Sequence, residues 1–159
     1  MHLFEANIKE CNMNHIATLR HWLSQQIPAC ESLGLMLEQA DSDCVKVSCD
    51  FDKNRNHHGT MFGGSQSLLA TTCAWLAVHL NFPNANGNIV IRESHIRYLA
   101  SVKSQVSAIC GKLESKEVEN CLAMFKKSGK GKMKVQCELV CDGKIVSVFH
   151  GEFVIFCNN

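Results

Sequence analysis

Several functional classes are excluded by what the chain lacks. Among 159 residues there are two prolines, Pro28 and Pro83, and 46% of the residues are apolar, a composition that argues against disorder. Neither sign of charge dominates. The formal net charge of +1 provides no overall steering toward nucleic acid or an anionic membrane. The longest uninterrupted apolar stretch falls short of the roughly 20 residues that span a bilayer. No two cysteines have CxxC spacing, and none stands in a glycine-rich turn beside a histidine, so the usual zinc and thiol-nucleophile patterns are missing.

Ten cysteines are nevertheless present. With no signal peptide ahead of them and each set singly within an apolar segment, they read as reduced, mostly core residues of a cytoplasmic protein. Cys137 and Cys141 share one face of a strand, and the adjacent His57 and His58 point in different directions, so no metal site is expected. At this length the chain fits one domain over residues 1–159, able to bury about two-thirds of its unfolded surface.

The organising stretch is Asn56-His57-His58-Gly59-Thr60-Met61-Phe62-Gly63-Gly64-Ser65 with the apolar run to about Leu80. Leu68, Leu69, Ala70, Cys73, Ala74, Trp75, Leu76, Ala77, Val78 and Leu80 cover nearly every face of a helix, which must therefore be buried. Ser65 is placed to cap it. Without a β-carbon at Gly63 or Gly64, a carbonyl or phosphate can approach the first-turn amides, where the helix dipole also favours negative charge. The same Gly-Gly pair is the ordinary build of a tight loop entering a core helix.

Around this helix the periodicity changes twice. Asn14 is placed to cap a first helix carrying Ile16, Leu19, Trp22, Leu23 and Ile27, which Pro28 closes. Leu33 to Gln39 and Cys44 to Asp50 have strand periodicity, with a polar turn between them, and Asp52 to His58 reads as an exposed loop. After the breaker from Asn81 to Gly87, Asn88 to Leu99 forms a strand. Its alternation puts Glu93, His95 and Arg97 on one face and Arg92, Ser94, Ile96 and Tyr98 on the other. Gln105 to Leu113 is a further strand, and Lys116 to Lys127 a surface helix. Lys132 to Cys141 and Lys144 to Phe156 make a hairpin about Asp142-Gly143, a pair suited to a type I′ turn. The pattern predicts an α+β domain: an antiparallel sheet curled around one long central helix.

NHHGTMFGGS before a helix, followed by IRESHIRYLA on a strand, resembles the hotdog-fold acyl-thioesterases. The specific likeness is to the thioesterase-like family also found fused behind an acetyltransferase-like domain in some proteobacteria, and it runs from about Leu33 onward. That resemblance implies processing of an acyl thioester of coenzyme A or acyl carrier protein, with no cofactor. It also implies a homodimer or dimer of dimers with the site between subunits. On this footing Asn56, Gly64 and Ser65 are the catalytic candidates, the Gly64 amide polarising the thioester carbonyl. His58, Gly59, Thr60, Phe62, Gly63, His95, Arg97 and Tyr98 are the substrate-binding ones.

Two departures from the family pattern bear on mechanism. Phe62 stands where many relatives have the histidine of HGG, and Thr71 where they carry an acidic residue on the helix. Hydrolysis normally needs a base for water, which Asn56 cannot be and which His58 or His95 would have to supply. Decarboxylation of a malonyl thioester needs only oxyanion donors, so it is the alternative, with a silent acyl-thioester binding module as the third reading. Lys126, Lys127, Lys130, Lys132 and Lys134 cluster about Gly129 and Gly131, either as a solvated face or as a hold for coenzyme A phosphates or an acidic carrier protein.

Overall fold

The computed structural model describes residues 15–157; Asn14 and its capping role lie outside them. Helix α1 covers residues 15–26 and buries Leu19 and Leu23, the face its spacing predicts. Pro28 does more than end it. It opens a second helix, α2 (Pro28–Leu33), at a first-turn position where a missing N–H breaks no intrahelical bond. Gly34, at φ +67°, then turns the chain into β1, its amide bonding the carbonyls of Cys30 and Glu31.

Strands β1 (Leu35–Ala40) and β2 (Val45–Cys49) pair antiparallel, bulged between Leu37 and Gln39. The Asp41 carboxylate fixes their turn by accepting from the amides of Asp43 and Cys44 at 2.9 and 2.8 Å. Beyond β2 the segment predicted as loop contains a short helix, α3 (Phe51–Asn54). Asp50 starts it, one side-chain oxygen accepting from the amides of Asp52 and Lys53. Buried Asn54 ties it to α2 through Nδ2, which donates to the Leu33 carbonyl at 2.7 Å.

The long helix α4 (Gly63–Asn81) is buried from Gln66 to Val78, as its composition requires. One side packs on a six-stranded antiparallel sheet of order β1-β2-β4-β5-β6-β3. The remaining strands are β3 (Ile89–Tyr98), β4 (Val106–Cys110), β5 (Lys130–Cys141) and β6 (Lys144–Phe156). The Cys73 thiol of α4 points at the carbonyls of Val45 and Ala108, and Trp75 Nε1 donates to Ile89 O at 3.1 Å. Its far side is covered by the first two helices: Trp22 stacks on Trp75 and His79 with ring centroids 5.7 and 5.1 Å apart, and Cys30 meets Thr72. Each fully buried Leu of such a helix contributes about 1.5–3 kcal/mol by leaving water.

The terminal hairpin turns at Asp142 and Gly143, both at positive φ (50° and 74°), the conformation a type I′ turn demands. Helix α5 (Ser115–Ser128) precedes it and buries Cys121 against the start of β5. One predicted facing is corrected. A bulge between Ile91 and Glu93 inserts Arg92, whose guanidinium bonds Glu152 on the exposed side of the sheet, away from Ser94, Ile96 and Tyr98. Strand β3, opposite β1, is one edge of the sheet and is exposed from Val90 to His95.

Candidate functional site

The site begins one turn earlier than the sequence suggests. Helix α4 starts at Gly63, with Phe62 as its cap residue and no side-chain capping bond, so Ser65 lies inside the first turn and is not the N-cap. The first intrahelical acceptor, Phe62 O, takes the Gln66 amide at 3.1 Å. The amides of Gly63, Gly64 and Ser65 have no acceptor among the described residues, and they point out of the helix end with its positive dipole. An oxyanion is the ligand such donors suit.

Two aromatic rings stand beside these amides. Tyr98 Oη donates to Gly63 O at 2.9 Å, and a β-carbon at Gly63 would lie 3.3 Å from the ring's Cζ and Oη. At Gly64 a β-carbon would overlap Cε1 of the Phe62 ring and sit 3.0 Å from its Cδ1. Both rings remain open to solvent, Phe62 58% and Tyr98 48% exposed. Neither glycine has a positive φ; what sets them apart is the close approach of these two side chains, which a β-carbon at either position would displace.

Ahead of Phe62 the chain makes a small hairpin, with Arg55 bridged to Met61. Asn56 organises it. Its Oδ1 accepts from the amides of His58 and Thr60 at 2.9 and 3.2 Å, while Nδ2 donates to Thr60 Oγ1 at 3.0 Å. Gly59, at φ 71°, closes the tip, its amide bonding Asn56 O. The Phe62 amide donates to Asn54 O at 2.8 Å and that of Met61 to Val102 O at 2.9 Å, so α3 and the 102 region hold the hairpin's exit. Asn56 and Thr60 spend their hydrogen bonds within the loop, and His58 is exposed.

The structure therefore brings Phe62, Gly63, Gly64, Ser65 and Tyr98 together at one helix end, with Asn56, His58, Gly59 and Thr60 in the loop before it. His95 and Arg97 are not at that end of the same chain. Strand alternation puts them on the exposed face opposite Tyr98, in register with His150 and Val148. His95 instead lines a 650 Å³ groove with His150, Glu93, Glu152, Glu114 and Glu117. A larger cavity of 790 Å³ lies among the first three helices, lined by Arg20, His21, Glu31, Asp50 and Lys53, and contains none of the predicted site residues.

Gln66 went unnoticed in the sequence. Its Oε1 accepts from Ser147 Oγ at 2.7 Å and its Nε2 reaches toward Met61 O at 3.4 Å, tying the first turn of α4 to β6 and to the loop. Both residues are buried, so each needs a partner, and a lone amide one turn into an apolar helix was the available signal.

No cluster of three metal-ligating side chains exists among the described residues. The nine described cysteines are free, seven of them buried. Burial raises the thiols of Cys49 and Cys121 to about 11 and that of Cys110 to about 12, and it holds that of Cys73 well above the ordinary thiol value, so none of these four is a thiolate at neutral pH. Lys130, Lys132 and Lys134 alternate along the exposed face of β5, and no ion pair among the described residues engages them.

The chain is similar in structure to a protein from Chlorobaculum tepidum TLS, with a TM-score of 0.85 and 25% identity over 92% of this chain and 97% of that one. It is likewise similar to a putative thioesterase from Shewanella oneidensis, with a TM-score of 0.78 and 30% identity over 89% and 97% of the two chains. A probable thioesterase from Pseudomonas aeruginosa shares the fold at 17% identity and a TM-score of 0.72, over 87% and 93%. The expected hotdog fold, a curled antiparallel sheet around a long helix, is the one observed. Residues 16–157 match the family described as "Putative thioesterase (yiiD_Cterm)", and the chain belongs to that family.

Proposed function

We propose that the chain hydrolyses acyl thioesters of coenzyme A or an acyl carrier protein, with the amides of the α4 first turn as its oxyanion hole. The observation that carries this reading is the trio of amides at Gly63, Gly64 and Ser65, unpartnered among the described residues and opening to solvent between Phe62 and Tyr98 in a member of a thioesterase family. In the proposed geometry the thioester oxygen sits about 3 Å from the Gly64 nitrogen, and charge developing on it is stabilised by donors already in place. Asn56 acts by holding the loop. Its side chain is committed to His58 and Thr60, which supports a positioning role over direct contact with water.

The second reading is decarboxylation of a malonyl thioester, and one feature favours it. The helix carries Thr71 where the family pattern has a carboxylate, so this chain offers no acidic base on α4 near the amides. Loss of carbon dioxide leaves an enolate that the same donors stabilise without activating water. Mass spectrometry of products from a panel of acyl and malonyl thioesters decides between them: free acid supports hydrolysis, and acetyl thioester from the malonyl substrate supports decarboxylation. Unchanged thioester with measurable binding would overturn both in favour of a binding module.

We also propose that the working unit is a homodimer formed along β3. This edge strand exposes Val90 (50%) and Ile91 (39%), and Tyr98 and Leu99 continue the apolar strip toward the α4 N-terminus. An unpaired edge with such side chains is a template for a second copy. Pairing there puts His95 and Arg97 beside the partner, which is how residues remote from the amides of their own chain would enter the site.

A further inference from the structure

Among the described residues Phe62 has the highest exposure of the large exposed apolar side chains, yet its main chain is fixed. Its amide donates to Asn54 O at 2.8 Å, its carbonyl accepts from Gln66 N at 3.1 Å, and its φ and ψ are −63° and 135°. Only the side-chain torsions are left to move. In a helix the Cα–Cβ direction leans toward the N-terminus, the direction in which the free first-turn amides also point. The Phe62 ring overlaps the β-carbon position of Gly64 and so stands beside those amides. Tyr98, on the other side, is anchored by its hydrogen bond to Gly63 O. One wall of the opening is held by a hydrogen bond, and the other is an exposed ring held by none among the described residues.

We infer that Phe62 determines acyl specificity, its ring gating access to the Gly64 amide and excluding acyl groups branched at the carbon next to the carbonyl. The inference rests on the thioester reading of the α4 N-terminus. In the proposed pose the carbonyl oxygen lies about 3 Å from the Gly64 nitrogen and the acyl chain leaves on the Phe62 side, so that the α-carbon, two bonds from that oxygen, lies against the ring. A straight chain can run out past the ring edge. A second substituent at the α-carbon must enter the volume that the ring fills, and the ring can yield only by leaving its contact with Gly64.

The test compares butyryl- and isobutyryl-coenzyme A with the full chain and with Phe62→Ala. One misplaced methyl in a hydrophobic pocket is discriminated by about ten- to two-hundred-fold, and because this ring is partly open to solvent the isobutyryl-to-butyryl ratio of kcat/KM should rise in Phe62→Ala by about the lower end of that range. A ratio that stays the same in a variant with the wild-type sedimentation coefficient overturns the gate. Amide hydrogen exchange at Gly64 reads it without substrate: removing the ring should speed exchange severalfold, with the neighbouring Met61 amide, bonded to Val102 O, unchanged. If wild type turns over neither thioester, the hydrolase reading has failed on its own, and the exchange rate then decides the gate. An unchanged Gly64 rate overturns it.

Discussion

At Gly64 a side chain would meet two demands at once: room already held by the Phe62 ring, and open access to the amide. Because that ring is exposed, Gly64→Val can fold by pushing it aside, but its own methyls then cover the amide. Loss of one oxyanion donor costs about a hundred- to a thousand-fold, so turnover of any thioester should fall by that factor while far-ultraviolet circular dichroism is kept. Asn56→Ala should act differently, by loosening the loop. KM is expected to rise with kcat less affected, and a kcat loss as large as that of Gly64→Val would make Asn56 a catalytic residue after all. His79 provides a test of pH dependence. Its Nδ1 is buried with no partner among the described residues, and burial lowers its pKa. Below the ordinary histidine value of about 6.5 the unfolded chain takes up a proton that the folded one refuses, so stability falls as pH drops from there through the folded pKa. Melting temperatures between pH 7 and 5 should show this loss, reduced in His79→Phe.

Element by element, α4 owes its burial to two layers. The sheet covers one side, and the Trp22, Trp75 and His79 stack brings α1 onto the other. Helix α5 docks more closely. A β-carbon at Gly131 would lie 2.8 Å from the Cys121 thiol and 2.6 Å from the Cys121 carbonyl oxygen, a main-chain contact that no rotamer change relieves. Gly131→Ala should therefore cost about 1–3 kcal/mol in urea unfolding, as overpacked sites do. A variant with unchanged stability would mean that α5 is free to shift off β5.

For the whole molecule, the apolar edge of β3 sets the expectation. Sedimentation should give a dimer at micromolar concentration, and replacing Ile91, 39% exposed on that edge, by Lys should shift it toward monomer. A fully active wild-type monomer would remove the partner from the site. The nine described cysteines are free, so reductant should leave the melting temperature unchanged. A fall of many degrees would reveal a structural disulfide, since removing one commonly costs about 2–5 kcal/mol.

The sequence by itself determined the types of the longer elements, the all-round burial of α4 and the Asp142-Gly143 turn, because each rests on short-range periodicity or on one residue's torsional preference. Its errors were also local: Pro28 suits the first turn of a new helix as well as the end of an old one, and Asp50, read as the end of a strand, caps a helix that runs into what reads as loop. Tertiary structure alone decided which polar residues meet. Tyr98 reaches Gly63 across 35 positions and Ser147 reaches Gln66 across 81, while His95, three residues from Tyr98, faces the other way. A strand's alternation states that two residues part, but only the docking of the sheet on α4 selects which of the two faces meets the helix end. The side chains over the glycine pair, and with them the shape of the opening at its amides, follow from that docking.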